Sequence, residues 1–251
     1  MKYEYKLFLF KLRLKKIIFL IIHPKLLRFY LKGIVPSIEH INILKRVLKD
    51  SKIDTFFDVG SNKGQFTLLL KILNVTQNIY SFDPLTSSKV SFSYIYRYFN
   101  NIKFYSFAIS SKCASQKLFI PKDDDSSSLL RISSYQKQFF STGNIVNDLD
   151  VKVITLKNWF DSTKIKNFNN GFLKIDVQGS EINVLKGADN LLEKFKYIYI
   201  ELSFKNFYES QILGWDIIQF LSLKNFKFIR IENCIYDDLI LIQADFLFLR
   251  N

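Results

Sequence analysis

The 251-residue chain predicts an α/β domain, a mostly parallel sheet covered by helices on both faces. Three observations carry that reading. Short apolar strands alternate with helical stretches through the middle of the chain. Three of those strands, Thr55–Val59, Ile79–Phe82 and Phe172–Ile175, carry an acid at or just past the carboxyl end: Asp58, Asp83 and Asp176. The composition, 48% apolar and 16% aromatic, suits one packed globule of this length. A disulfide scaffold is excluded, because Cys113 and Cys234 are the only cysteines. Two Cys and two His cannot build a cysteine-rich zinc site either. No stretch of ~18 uncharged apolar residues offers a bilayer span.

The elements begin with a basic arm. The net charge is +13, yet residues 1–33 alone hold nine Lys or Arg against one Glu. The body, residues 34–251, is therefore only mildly basic, which argues against a nucleic-acid partner. Lys6–Ile22 reads as a helix, Pro24 ends it, and a second helix runs from Lys25 to Lys32 before Gly33. Nothing here reads as a secretory leader: the apolar core Ile17–Ile22 is short, and His23-Pro24-Lys25 offers no cleavage site. A cytoplasmic protein is expected. Two readings of the arm stay open. In one, residues 1–32 contact an anionic membrane peripherally, at its inner face. In the other, the arm packs on the domain or on an oligomer partner. The oligomeric state itself is not legible.

After the arm a helix is predicted from Ser37 to Lys49. The strands Thr55–Val59, Ile79–Phe82, Ile102–Ala108, Phe172–Ile175 and Tyr197–Leu202 follow. A helix Gln65–Leu73 joins the first two, and a helix Glu181–Phe195 joins the last two. Ile182, Leu185, Leu192 and Phe195 mark its buried face at helical spacing. The chain closes with an antiparallel pair, Phe226–Ile231 and Asp245–Arg250. Pro121–Asp150, opening on three aspartates and three serines, is too long for an ordinary connection and reads as a mobile segment or a functional lid.

The chemistry starts at Asp58-Val59-Gly60-Ser61-Asn62-Lys63-Gly64. The spacing is neither the dinucleotide fingerprint nor a phosphate loop. It suits a ligand without a pyrophosphate, approached closely by backbone at Gly60 and Gly64, with Asp58 holding a cation or polar group. The second strand then ends in Asp83-Pro84, where a carboxylate can accept hydrogen bonds from both ribose hydroxyls. Together they imply a nucleoside with a charged tail, which S-adenosyl-L-methionine offers. The third motif is Leu173-Lys174-Ile175-Asp176-Val177-Gln178-Gly179-Ser180-Glu181.

At this point the chain resembles the FkbM-type methyltransferases, which use S-adenosyl-L-methionine. The resemblance runs from about residue 53 to residue 250 in the family's order. It covers Asp58 to Gly64, with Ser61 where the family has Ala, and Asp83-Pro84. It takes in Phe107-Ala108-Ile109-Ser110, Ser127-Ser128-Leu129 and Leu173 to Glu181. Ile200-Glu201 and Asp245 to Phe248 complete it. Two positions depart: Gln178 stands for the signature Glu, and Leu156-Lys157 for a frequent Leu-Asp pair. The arm lies outside the resemblance.

The resemblance implies a Rossmann-like class I methyltransferase domain: a seven-stranded sheet in the order 3-2-1-4-5-7-6, its last strand antiparallel. It implies that Asp58, Gly60, Ser61, Asn62 and Gly64 hold the methionine part of the cofactor. Asp83 and Pro84 take the ribose, and Ala108 and Ile109 the adenine edge. The implied reaction is O-methylation of a hydroxyl on a sugar, glycolipid or related small molecule, as in polysaccharide biosynthesis. Asp176 and Glu181 are the candidate bases, since His23 and His40 lie before the domain core. No metal is expected, because Asp176 and Glu201 make a thin oxygen shell. Two alternatives remain: a module that binds cofactor without catalysis, suggested by Gln178 and Lys157, and a nucleic-acid methyltransferase. Against the latter, no Asn/Asp-Pro-Pro-Tyr/Phe segment follows the fourth strand.

Overall fold

The computed structural model describes residues 2–49, 52–122, 124–140, 145–163, 165 and 168–251, with side chains from residue 9 onward. The centre is a sheet whose strands are apolar because both faces are covered. Strand β1 (Thr55–Val59) is buried at all five positions. It pairs in parallel with β2 (Asn78–Phe82) on one side and β7 (Gly171–Ile175) on the other. β3 (Ile102–Tyr105) continues outward from β2, and β8 (Phe195–Ser203) from β7, both in parallel. β10 (Ile240–Arg250) runs antiparallel to β8, and β9 (Phe226–Asp237) antiparallel to β10. The order is β3-β2-β1-β7-β8-β10-β9, which counted along this sheet alone is 3-2-1-4-5-7-6. It is the expected fold, that of class I methyltransferases.

Helices α3 (Ile41–Val47), α4 (Gln65–Ile72) and α5 (Thr86–Ile95) share an apolar core with β1 and β2, around Phe56, Phe66, Leu69, Phe92 and Phe172. Helices α7 (Leu156–Ser162), α8 (Glu181–Ala188) and α9 (Gly214–Leu223) cover the other face, around Phe57, Trp159, Leu185, Phe195 and Leu221. Each fully buried Phe contributes ~2–3 kcal/mol relative to exposure.

Three expected elements come out differently. The strand expected over Ile102–Ala108 is two strands. A tight turn, Phe107 N–H to the Tyr105 carbonyl at 3.0 Å, lifts the chain out of the main sheet. Ala108–Ile109 (β4) then pairs with β6 (Ile145–Ile154) in a small sheet completed by β5 (Ala114–Pro121), in the order β4-β6-β5. The helix expected to Phe195 stops at Ala188. Asp189 breaks the helix there with a positive φ, +49°, and ψ −131°, and a 3₁₀ stretch, Asp189–Lys194, finishes the connection. The closing strands are longer than the pattern shows, joined by a turn at Asp238. Of Pro121–Asp150, residues 123 and 141–144 lie outside the described residues. The rest forms a 3₁₀ turn (Asp124–Ser126), helix α6 (Ser134–Phe139), capped by Ser133 Oγ, and the start of β6.

The arm is helix α1 (Lys2–Ile22), a 3₁₀ turn (Pro24–Leu26) and the short helix α2 (Leu27–Tyr30). Its inner side joins the domain. Leu26 and Phe29 are buried in the α3–α5 core, with Phe19 and Leu20 packed against it. Arg28 lies over the Tyr98 ring at 3.8 Å, and Lys16 pairs with Glu39 at 3.1 Å.

Candidate active site

In an open α/β sheet the ligand crevice forms where strand order reverses, at the carboxyl ends. Here that point lies between β1 and β7. The two strands run so close that a Cβ at Gly60 would stand 1.8 Å from the Asp176 carbonyl oxygen. Gly60 also sits at φ +77°, so only glycine fits.

Two cavities meet at this point. The narrower is bordered by Gly60, Asn62, Asp83, Pro84, Ala108 and Ile109 among others. The wider cleft is bordered by Ser61, His40, Lys174 and Glu201, and by Arg13, Lys16, Ile17 and Tyr30 of the arm. Asp176 and Gln178 border both. Asp124, Asp125 and Ser127–Leu129, from the segment read as mobile or as a lid, wall the narrower cavity.

Asp83 is almost fully buried at the edge of the narrow cavity. Its Oδ1 accepts from Ser88 Oγ at 2.7 Å and Leu85 N–H at 3.0 Å, and its Oδ2 from Asn62 N–H at 2.9 Å. Burial pushes its pKa up to about 6 against these bonds. Oδ2, with one bond accepted, keeps a lone pair for a ligand hydroxyl. Asp58 and Gly64 are placed differently from the other expected cofactor residues. Asp58 lies under the turn, its Oδ2 accepting from Thr67 Oγ1 at 2.9 Å and its Oδ1 3.6 Å from Lys174 Nζ. Burial raises its pKa, and Lys174 opposes the rise. Gly64 opens α4 against Phe92 and Ile95. Neither borders the two cavities.

Asp176 is held as an anion. Lys174 Nζ stands 3.3 Å from its Oδ2, and Gln178 Nε2 donates to its Oδ1 at 2.8 Å. Burial works to raise its pKa, but Lys174 and these bonds bring it below the ordinary value. Gln178 Nε2 also reaches Glu201 Oε2 at 3.3 Å, and its Oε1 accepts from Tyr208 O–H at 2.7 Å. Glu201 is the opposite of Asp176: burial first, then the charges of Asp176, Asp245 and Glu181, push it well above the usual carboxylate range. Glu181 borders neither cavity. It opens α8 with its Oε1 accepting from Gly179 N–H at 2.8 Å, and burial pushes it up to about 7. Lys157 pairs with Asp161 along the outer side of α7.

His40 corrects an expectation. Although it precedes the core strands, it borders the wide cleft with Asp176 and Glu201. Its Nδ1 lies 2.9 Å from Tyr199 Oη and 3.4 Å from Asp245 Oδ2. Burial lowers its pKa to about 4, so it is neutral at physiological pH. Lys174, Tyr208 and Asp245 are further polar groups of the site to which the sequence assigns no role, and Glu201, weighed there only as a metal ligand, stands with them. Lys174 lies on β7, two positions before Asp176, whereas Glu201 and Asp245 come from β8 and β10, and only the sheet order brings them near it. Among the described residues no group of three or more His, Cys, Asp or Glu is placed to hold a metal ion. None of the described helices is long and apolar enough to cross a membrane.

The sheet order, with the crevice at its switch point, is that of the class I methyltransferase fold. The sequence matches the methyltransferase FkbM domain over residues 58–228, and the chain belongs to that family. Its cofactor is S-adenosyl-L-methionine. No curated protein matches the sequence. Among solved structures, the chain is similar to magnesium protoporphyrin IX methyltransferase from Synechocystis PCC 6803 with bound SAM. The identity is 10%, covering 85% of this chain and 81% of that one, with a TM-score of 0.45. The methyltransferase domain of bacterial CtHen1 is 11% identical, covering 85% of this chain and 98% of that one, TM-score 0.45. TrmK of M. capricolum in complex with S-adenosyl-homocysteine is 11% identical, covering 78% and 62%, TM-score 0.45.

The narrow cavity fits the cofactor on its own terms. It offers a carboxylate with a spare acceptor site at Asp83, and apolar walls for a flat base at Phe82, Leu85, Ala108, Ile109 and Leu118.

Proposed function

We propose that the chain transfers a methyl group from S-adenosyl-L-methionine to a hydroxyl oxygen of a sugar, glycolipid or related metabolite. One observation carries this reading: the two cavities meet at the carboxyl end of β7, where Asp176 borders both, together with Asp125 of the segment that walls the narrower one. The cofactor would lie in the narrow cavity, with Asp83 on the ribose and Ala108 and Ile109 along the base. Its methionine part would run along Gly60 and Asn62, which border both cavities, toward Ser61 at the wide cleft, over the buried Asp58–Lys174 pair. The acceptor would enter the wide cleft.

The cofactor supplies a methyl group already activated on a sulfonium, so holding acceptor and donor in line does much of the work. The acceptor oxygen forms the new C–O bond, the C–S bond breaks, and the hydroxyl proton must leave. Asp176, kept ionised by Lys174, orients that hydroxyl. Glu201, whose burial raises its proton affinity, is better matched to receive the proton. Glu181, tied to the backbone of Gly179, holds the loop that carries Gln178. The reading includes a cytoplasmic placement with peripheral contact between residues 1–32 and the inner face of an anionic membrane.

The test is transfer of labelled methyl from S-adenosyl-L-methionine to extracted cell-envelope glycolipid and polysaccharide fractions. Label in a hydroxyl-bearing product supports the reading. Cofactor binding with no transfer to any fraction would make the chain a non-catalytic cofactor-binding module.

A further inference from the structure

Helix α1 has two apolar faces, and only one is used. The inner one packs through Phe19 and Leu20 on the domain core. The outer one carries Phe10, Leu14, Ile17, Ile18 and Ile21, which are 64, 49, 51, 48 and 73% exposed. Their spacing, i, i+4, i+7, i+8 and i+11, makes one stripe along the helix. At 100° per residue, Lys11 and Lys15 fall on one flank of that stripe and Arg13 on the other. No acidic residue stands between Glu4 and Glu39. An apolar stripe edged with basic side chains and free of acids is complementary to an anionic lipid surface.

The stripe is also joined to the acceptor side of the site. Ile17 belongs to it and borders the wide cleft that holds Asp176 and Glu201. Beside it, under the arm, a narrow apolar crevice is walled by Phe19, Leu20, Leu26 and Ile38. The crevice shares Lys16, Tyr30 and Val35 with the wide cleft. A polar head bound at Asp176 therefore has apolar side chains of the arm, Ile17 and Tyr30, beside it on the way to the outer face of α1.

We propose that the outer face of α1 lies in the headgroup boundary of an anionic bilayer, and that the acceptor is an amphiphile drawn from that bilayer. Its hydroxylated head enters the wide cleft, and its apolar end leaves past Ile17 and Tyr30 along the arm. The proposal rests on reading the wide cleft as the acceptor site. It turns the arm from an appendage into one wall of that site, and it makes methyl transfer an interfacial reaction.

The experiment uses the full chain and vesicles of phosphatidylcholine alone or mixed with phosphatidylglycerol. The protein is expected to float with the mixed vesicles, to be released by high salt, and to stay behind with phosphatidylcholine alone. Leu14→Asp combined with Ile21→Asp, both on the exposed stripe, is expected to cut flotation about tenfold or more. Calorimetric affinity for S-adenosyl-homocysteine should stay unchanged in that variant. Label transferred from the cofactor to lipid extract incorporated in the mixed vesicles should partition into the organic phase and fall with the same variant. Flotation that ignores lipid charge or the two substitutions would overturn the proposal. So would label confined to the aqueous phase, or a wild-type dimer that the substitutions convert to monomer, since a second copy would then cover the stripe. Loss of homocysteine-cofactor binding in the wild type would instead defeat the methyltransferase reading, which separates the two failures.

Discussion

The side-chain amide of Gln178 donates to Asp176 across 2.8 Å, and the same nitrogen reaches Glu201 at 3.3 Å. An amide therefore stands between two carboxylates, where a donor offsets their mutual repulsion. Gln178→Glu would replace that donor with a third negative group. Like charges so close disfavour ionisation. The variant should lose roughly 1–3 kcal/mol of stability at pH 8 and recover most of it at pH 5. Urea unfolding at the two pH values checks this, and an equal loss at both would remove the bridge from consideration.

Asp176 and Glu201 are expected to separate in kinetics. Asp176→Asn should misplace the acceptor hydroxyl and lower methyl transfer by ~10²-fold with little change in cofactor affinity. In the wild type the rate should rise with pH as Glu201 loses its proton, because a base must be ionised to accept one. Glu201→Gln should flatten that limb. Wild-type transfer by Asp176→Asn would end its role, and an unaltered pH profile in Glu201→Gln would end that of Glu201.

Glu181 gives a stability signature independent of activity. Its folded pKa is raised from 4.5 to about 7. A raised carboxyl favours the fold below its unfolded pKa, and that contribution is lost as pH rises through the folded value. Glu181→Gln keeps an acceptor for Gly179 N–H and removes the titration. The stability of the wild type relative to this variant should fall by roughly 2–3 kcal/mol between pH 5 and pH 8. A difference that does not move with pH would mean that Glu181 titrates like an exposed carboxylate.

Much of the fold was legible because its signals are local. Asp58-x-Gly60 marks a strand that turns, Asp83-Pro84 marks the next strand's end, and strand–helix alternation sets a parallel sheet. The turn at Ser106 was not legible, because whether β3 continues depends on where its neighbour β2 ends, at the Phe82–Tyr105 pair. The stop at Ala188 was hidden too: Gly187 looks like a weak helix residue, yet a Cβ there would meet the Ser110 carbonyl at 2.0 Å. In the site, Asp83 and Asp176 could be singled out because each ends a strand. His40 could not. Its partners Tyr199 and Asp245 come from β8 and β10, and only the sheet order brings them to it.

The close passage of β1 and β7 predicts a contrast between two glycines. Gly60→Ala would drive a methyl into the Asp176 backbone and should abolish soluble folded protein. Gly33→Ala, with nothing within 4 Å of the new Cβ at φ +73°, should cost only the ~1–2 kcal/mol of a left-handed residue. Thermal melts of both variants check it. A Gly60→Ala protein that melts like Gly33→Ala would mean the strands part easily.

The most direct measurement is a calorimetric titration of S-adenosyl-L-methionine into the wild type and into Asp83→Ala. The narrow cavity should bind the cofactor saturably, one per chain. Removing the Asp83 carboxylate should weaken binding by ~1.5–3 kcal/mol, roughly 10- to 150-fold, with the fold intact by circular dichroism. No binding by the wild type, or equal affinity in the two proteins, would contradict the assignment of this cavity to the cofactor.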